Sequence, residues 1–282
     1  MGAAMVARLL GAGHHVTAYN RTSSRAAATG AAVALTSREA TAAADIVFVS
    51  LADDPAVEAV YRGEDGLIAG LRPGTVILET STIHPGTVRA LAPQVEARGA
   101  LLLDAPVSGS VPVVQRGQLT FMVGGPADAL DRARPVLDCL AAQVYHLGHI
   151  GAGATMKLAV NAVVHALNQA IAESLVLVEK SGIERELAYD VLASSAVAAP
   201  YVHYKREAFL HPESTPVAFA LSLVAKDLSL IDSLAAAVGA RMDQLATNRR
   251  IVLEAISYGY GDRDLSALAD LLRTKSTDSD PS

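Results

Sequence analysis

The spacing of hydrophobic residues changes once along this chain, near Gly151. Before it, short apolar runs alternate with segments whose apolar residues recur about every three to four positions, and after it only this helical spacing remains. Alternation of strands and helices is typical of a parallel β-sheet with helices on both faces. The pattern therefore predicts an α/β domain with a doubly wound sheet over residues 1–150 and an all-helical domain over residues 151–274.

Two of the predicted strands, within IVFVSL and VILET, contain little polar alternation, as expected for strands buried on both faces. Thr36 and Glu39 have the spacing of a capping box at one helix start. The predicted strands are 15–19, 33–35, 46–50, 75–79, 101–104, 119–123 and 143–147. The predicted helices of the second half are 152–181, 185–194, 201–208, 217–238, 242–257 and 264–272, and the polar residues 275–282 are expected to form a disordered tail.

Composition excludes several classes of function. The 282 residues carry a net charge of −6 without a basic cluster, so no nucleic-acid partner is expected. The eight histidines and single cysteine show no metal-binding spacing, and no metal is expected. The apolar stretch 160–178 is interrupted by polar residues, which predicts a buried helix and no membrane span. Without a visible secretory signal, the expected location is cytoplasmic. The large apolar surface of the predicted helices favours a homodimer.

The chain opens directly on a helical pattern. A dinucleotide-binding unit of the Rossmann type has a strand, a GxGxxG turn and a helix whose amino end faces the pyrophosphate. Gly2 matches the last of these glycines, although one glycine also suits any helix start. We therefore expect that the first strand and first two glycines are missing, through a start site placed downstream of the real one or because the chain is a fragment.

The turn after the next strand bears on the choice of cofactor. Asn20 lies close to the offset of about 20 residues at which the ribose is recognised. Arg21 and Thr22 follow it where an acidic residue would select NAD, and a guanidinium suits the 2′-phosphate of NADP. A solvated turn is the alternative interpretation, because these are ordinary loop residues.

Lys157 and Asn161 stand four residues apart in the run GAGATMKLAVN, at the start of the longest predicted helix. This spacing places both side chains on one helix face. A buried lysine with a lowered pKa can exchange a proton with an alcohol during hydride transfer, and an uncharged amide can orient the substrate. His165 and Asn168 continue the polar line, either as residues that orient this pair or as hydrogen-bonded residues at a helix contact.

These segments together carry a family resemblance. The matching runs, in order, are MGxxM at Gly2, GHxVxxxNRT, ADIVFVSL, TSTIHP, DAPVSGS, GQLTFMVGG, GxGxxxKxxxN, AKDL and GYGDRDLSAL. The chain resembles the β-hydroxyacid dehydrogenases, the group that contains 3-hydroxyisobutyrate dehydrogenase and tartronate semialdehyde reductase. The resemblance implies a Rossmann-type domain, a helical domain like that of 6-phosphogluconate dehydrogenase, and hydride transfer between NAD(P) and a small 3-hydroxy acid or semialdehyde acid. The turn at Arg21 and Thr22 favours NADP over NAD.

The resemblance also implies a role for individual residues. Lys157 is the implied acid/base, Asn161 orients the substrate, and a turn of Ser108, Gly109 and Ser110 holds its carboxylate. The implied cofactor-binding residues are Gly2, Asn20, Arg21, Thr22, Leu51, Thr82 and Lys226.

The chain departs from the family pattern at several positions. Ser110 replaces a glycine, Val160 replaces a second asparagine, and Glu79 replaces an aspartate, a change we expect to be tolerated. Two other functions stay open: an imine reductase, which Lys157 disfavours, and a non-catalytic scaffold.

Overall fold

The structure is a computed structural model that describes residues 1–275. The described chain forms two compact units, of which the first is Met1–Leu158 and the second begins at Ala159. The division falls inside helix α9 (Ala152–Lys180), past the expected boundary at residue 150. The prediction of a disordered tail from residue 275 is wrong at Lys275, which is the final residue of a helix. The remaining residues of the predicted tail, 276–282, lie outside the described residues.

The first unit has the alternating order that the sequence predicts. Its elements are α1 (Gly2–Gly11), β1 (Thr17–Ala18), α2 (Ser23–Ala27), β2 (Ala32–Val33), α3 (Ser37–Ala42), β3 (Ile46–Val49), α4 (Asp54–Tyr61), α5 (Leu67–Gly70), β4 (Val76–Glu79), α6 (Pro85–Glu96), β5 (Leu101–Asp104), β6 (Val107–Ser108), α7 (Val111–Gln115), β7 (Leu119–Val123), α8 (Ala127–Leu137) and β8 (Ala141–His146). The seven predicted strands are present and the α/β prediction is confirmed.

The strands pair mostly in parallel, and an antiparallel bridge between Asp104 of β5 and Gly124, which follows β7, connects two of their groups. Among the described residues they form three hydrogen-bonded groups: β1 with β2, β3–β4–β5 in parallel, and β6–β7–β8, in which β6 runs antiparallel to β7. The sequence analysis did not predict β6, which contains only Val107 and Ser108.

Strand β4 shows how helices cover both faces of the central sheet. Val76 and Leu78 pack in a core cluster with Met5 of α1. Ile77 points to the opposite face, where it packs in a second cluster with Val88 of α6. Because side chains alternate along a strand, one apolar run supplies both cores.

The second unit is all-helical, as predicted. It contains the rest of α9, then α10 (Arg185–Ser194), α11 (Pro200–Leu210), α12 (Leu221–Val238), α13 (Asp243–Ser257), a 3-10 turn (Leu265–Ala267) and α14 (Leu268–Lys275). Helix α12 begins four residues later than the predicted helix 217–238. The backbone N–H groups of Ala218 and Phe219 instead donate to the carboxylate of Asp264, which holds this segment outside the helix.

Helix α9 is long and apolar enough to cross a membrane, by length and composition alone. Four polar side chains along it are nevertheless buried in the helical unit, and these are Asn161, His165, Asn168 and Gln169. Unpaired polar groups are costly in lipid, whereas three of these four side chains have hydrogen-bond partners inside the unit. We interpret α9 as a core helix.

Candidate active site

The loops after β3 and β4 are joined at the carboxyl edge of the central sheet. The backbone N–H of Leu51 donates to the hydroxyl of Ser81 at 2.8 Å. Gly2, at the start of α1, lies at the same edge, where a Cβ on it would be 3.6 Å from that of Ser50. The structure thus brings together Gly2, Leu51 and the loop that continues to Thr82, as expected for residues at the carboxyl ends of parallel strands.

The carboxylate of Glu79, the last residue of β4, stabilises the loop that contains Ser81. Its Oε1 accepts a hydrogen bond from the backbone N–H of Ser81 at 2.9 Å, and the side chain is fully buried. Burial raises the pKa of Glu79 from 4.5 to about 7, although hydrogen bonding from Ser81 acts in the opposite direction. The sequence identified Glu79 only as a departure from the family pattern, because its burial depends on tertiary packing.

The turn of Ser108, Gly109 and Ser110 joins β6 to α7. Gly109 has a φ of +136°, and a Cβ at this position would lie 2.9 Å from Cγ1 of Val113. Both observations require glycine at this position. Ser110 stands at the N-cap of α7, and its side chain makes no capping hydrogen bond to the described helix.

The turn of Asn20, Arg21 and Thr22 is exposed between β1 and α2. The side-chain oxygen of Asn20 accepts a hydrogen bond from the backbone N–H of Thr22 at 2.9 Å, which fixes the turn locally. Within residues 1–275, β1 pairs with β2 and does not pair with β3. The geometry is compatible with either a phosphate-binding turn or a solvated one.

Asp104, at the end of β5, binds the start of α9. Its Oδ1 accepts from the N–H of Gly151 and its Oδ2 from the N–H of Ala154, both at 2.7 Å. A Cβ on Gly153 would collide with the carbonyl oxygen of Met122, so α9 begins in close contact with β7. Lys157 follows one turn later and is half-buried. The sequence analysis gives Asp104 no role, since its partners lie about 50 residues away in the chain.

Asn161 and Lys226 meet at one buried carboxylate, that of Asp227. The side-chain amide Nδ2 of Asn161 donates to Asp227 Oδ2 at 2.6 Å, and Nζ of Lys226 lies 2.9 Å from Oδ1. Burial acts to raise the pKa of Asp227, but His165 and Lys226 together hold it below its ordinary value. Sequence reasoning gave Asp227 no role. The available signal was an acidic residue on the apolar face of α12, beside Val224 and Leu228 in the helical period.

The two polar residues that follow Asn161 along α9 have different environments. Asn168 donates to the carbonyl oxygen of Leu265 and accepts from the hydroxyl of Tyr201, so its hydrogen bonds hold a helix contact. The imidazole of His165 stacks on Phe219 with ring centroids 6.1 Å apart, and its Nε2 lies 3.6 Å from Asp227 Oδ2. Across residues 1–275, no group of three or more His, Cys, Asp or Glu side chains is placed to hold a metal ion.

Two family models match successive parts of the chain. Residues 1–148 match the NAD-binding domain of 6-phosphogluconate dehydrogenase, and residues 151–272 match the model described as NAD-binding of NADP-dependent 3-hydroxyisobutyrate dehydrogenase. Both models describe nicotinamide-nucleotide-binding proteins, and together they cover nearly the whole chain.

Individual proteins show the same likeness. A glyoxylate/succinic semialdehyde reductase of Arabidopsis thaliana is 33% identical over 97% of this chain and 77% of its own length. The solved structure of Mycobacterium tuberculosis 3-hydroxyisobutyrate dehydrogenase with L-serine is 35% identical, with a TM-score of 0.83 over 97% of this chain and 96% of that one. An imine reductase from Pseudomonas sp. shares the fold at 20% identity, with a TM-score of 0.63 over 96% of both chains.

Proposed function

Because this chain belongs to the β-hydroxyacid dehydrogenase family, we propose that it transfers a hydride between NADP and a small 3-hydroxy acid or semialdehyde acid, with Lys157 as general acid/base. The observation that carries the proposal is the position of Lys157 on α9. The residue is half-buried, it follows directly on a helix start that Asp104 fixes to the sheet, and Asn161 stands four residues further on.

The residues at the carboxyl edge suit a dinucleotide. Helix α1 has no acidic residue in its first turn, and its N-cap residue makes no side-chain hydrogen bond to the helix. Backbone N–H groups at such a helix start bind phosphate well, and Gly2 permits close approach. The residues assigned to the nicotinamide half are Leu51 and Thr82. Those assigned to the adenosine half are Asn20, Arg21 and Thr22, and Lys226 is assigned to cofactor binding. The bound nucleotide would supply or accept the hydride.

In this assignment Lys157 Nζ takes the hydroxyl proton when the alcohol is oxidised and returns it when the carbonyl is reduced. A positioned acid/base accelerates such a step by about 100-fold to 10,000-fold. Asn161 orients the substrate without adding charge, and Ser108, Gly109 and Ser110 hold the substrate carboxylate through hydroxyl and N–H groups.

A homodimer in the cytoplasm completes the proposal. Leu187 and Val191 lie one turn apart on α10 and are 58% and 61% exposed, and Val163 and Leu177 of α9 are 69% and 68% exposed. Exposed apolar side chains on α9 and α10 support burial against a second subunit. Light scattering after size-exclusion chromatography would measure the mass of the particle.

The test is a screen of small 3-hydroxy acids and semialdehyde acids with NADP(H) and NAD(H), on the natural chain, Lys157→Ala and Lys180→Ala. Lys180 ends the same helix and serves as the matched control. We expect Lys157→Ala to lose at least about 100-fold in kcat while nucleotide affinity is retained, and Lys180→Ala to match the natural chain. Equal turnover by Lys157→Ala would refute the assignment.

The same screen separates the two alternatives. Turnover of a cyclic imine, without turnover of any hydroxy acid, would identify an imine reductase. A folded protein that binds neither nucleotide would be a scaffold.

A further inference from the structure

His165 is buried on α9 at a position where both ring nitrogens lack a conventional partner. The side chain is 3% exposed, and among the described residues neither Nδ1 nor Nε2 makes a hydrogen bond. Asn168, less than one turn further along, has both ends of its amide hydrogen-bonded. A buried polar group without a hydrogen bond costs stability, so His165 is not explained as another hydrogen-bonded helix contact.

The surroundings of the imidazole indicate what it does. Its Nε2 lies 3.6 Å from Asp227 Oδ2, the same oxygen that accepts the hydrogen bond from Asn161. Phe219 stacks against the ring at an interplanar angle of 26° and limits its rotation. Nζ of Lys226 lies 2.9 Å from the other carboxylate oxygen, Asp227 Oδ1. The Asp227 carboxylate is therefore bordered on one oxygen by the imidazole and on the other by the ammonium group.

The carboxylate in turn fixes the amide of Asn161. An ionised carboxylate only accepts hydrogen bonds, so the NH₂ group of Asn161 must face Asp227. The carbonyl oxygen of Asn161 is then the end of the amide that is left for another donor, such as a substrate hydroxyl. If the carboxylate turned, the amide could rotate and present the wrong end.

We propose that His165 is a positioning residue. Its imidazole packs against the Asp227 carboxylate and thereby keeps the Asn161 amide in the orientation that accepts a hydrogen bond from the substrate hydroxyl. This role rests on the proposed function, in which Asn161 orients the substrate. His165 lies two turns from Lys157 along α9. The acid/base role of Lys157 does not by itself require a polar side chain at that position, whereas the positioning of Asn161 does.

The kinetic test uses His165→Leu, His165→Gln, Asn161→Ala and the double variant His165→Leu with Asn161→Ala. On the best substrate of the screen, we expect His165→Leu to lower kcat about 10-fold, as for directly coupled neighbours, with little change in nucleotide affinity. His165→Gln should recover most of this loss, because its amide can donate towards Asp227. The double variant should be no slower than Asn161→Ala, since His165 acts through Asn161.

Gln169→Leu is the matched control, because it also removes a buried polar side chain from α9 but one that bonds Glu173. It should leave kcat within about 2-fold of the natural chain. Independent, multiplying losses in the double variant, or an equal loss in Gln169→Leu, would show that His165 only supports the fold and would overturn the proposal.

A spectroscopic readout keeps the positioning role separable from the proposed function. The side-chain amide resonances of Asn161, assigned by their loss in Asn161→Ala, should shift in His165→Leu, whereas those of Asn168 should not. A shift without any hydroxy-acid turnover would retain the link between His165 and Asn161 but reject the proposed function. Unmoved Asn161 resonances would overturn the link even in an active enzyme.

Discussion

The carboxylate of Asp104 holds the backbone N–H of Ala154 at 2.7 Å, and this contact ties the end of β5 to the first turn of α9. The second carboxylate oxygen binds Gly151 in the same way. The aspartate of the DAPVSGS run is thus an anchor for the helix that carries Lys157. Its effect on any chemistry passes through the position of that helix.

Replacement of this anchor should cost stability. We expect Asp104→Ala to lower the free energy of unfolding by about 2–4 kcal/mol, because it leaves two buried N–H groups without a charged acceptor. Urea unfolding would measure the loss. Asp131→Ala, which removes an exposed carboxylate from α8, should change it by less than about 0.5 kcal/mol. Equal stability of the two variants would contradict the anchoring role.

Glu79 should make the folded chain less stable as the pH rises. Since burial raises its folded-state pKa to about 7 from 4.5, the folded chain binds this proton more tightly than the unfolded chain does. This contribution is complete below about pH 4.5 and is lost as the pH rises to about 7.

Removing the charge from Glu79 should remove that loss. Glu79→Gln should become more stable than the natural chain between pH 5 and pH 8, by on the order of 3 kcal/mol at the upper end. Thermal unfolding across this range would test it, with the exposed Glu96→Gln as control. A constant difference between Glu79→Gln and the natural chain at every pH would argue against a raised pKa.

The buried ion pair of Lys205 and Asp264 should stabilise the helical unit only as a pair. Nζ of Lys205 lies 2.7 Å from Asp264 Oδ1, and burial lowers the pKa of Lys205. We expect Lys205→Met to cost about 3–5 kcal/mol, because it leaves a buried carboxylate without a cation. Adding Asp264→Asn to that variant should recover part of the loss in chemical denaturation. If the double variant were less stable than Lys205→Met, the loss in Lys205→Met would not come from an unpaired carboxylate on Asp264.

Arg21 should decide between the two nicotinamide cofactors. If its guanidinium binds the 2′-phosphate, Arg21→Ala should weaken NADPH binding about 10-fold and leave NADH binding nearly unchanged. Fluorescence titration with both nucleotides would measure the two affinities. Arg25→Ala, which changes an exposed residue of the following helix α2, is the control. The same loss for both nucleotides would assign Arg21 to another role.

The local structure was largely predictable because its causes lie within a few residues. The start of α3 is an example: Thr36, its N-cap, accepts from the N–H of Glu39 as the spacing predicts, and the Glu39 carboxylate accepts from the N–H of Leu35, the residue before the N-cap. The late start of α12 could not be predicted, since it depends on Asp264, more than 40 residues away.

The hydrophobic pattern determined the two kinds of domain, and the order of motifs determined the family and the candidate pair of Lys157 and Asn161. Only the tertiary structure placed Asp227 and His165 beside Asn161, set Glu79 in a buried position and gave Asp104 its partners. The hydrophobic periodicity of a helix or strand depends only on residues close together in the chain, so it can be recognised from the sequence. The hydrogen bonds and burial that define a site join residues far apart in the chain, and they exist only once the chain has folded.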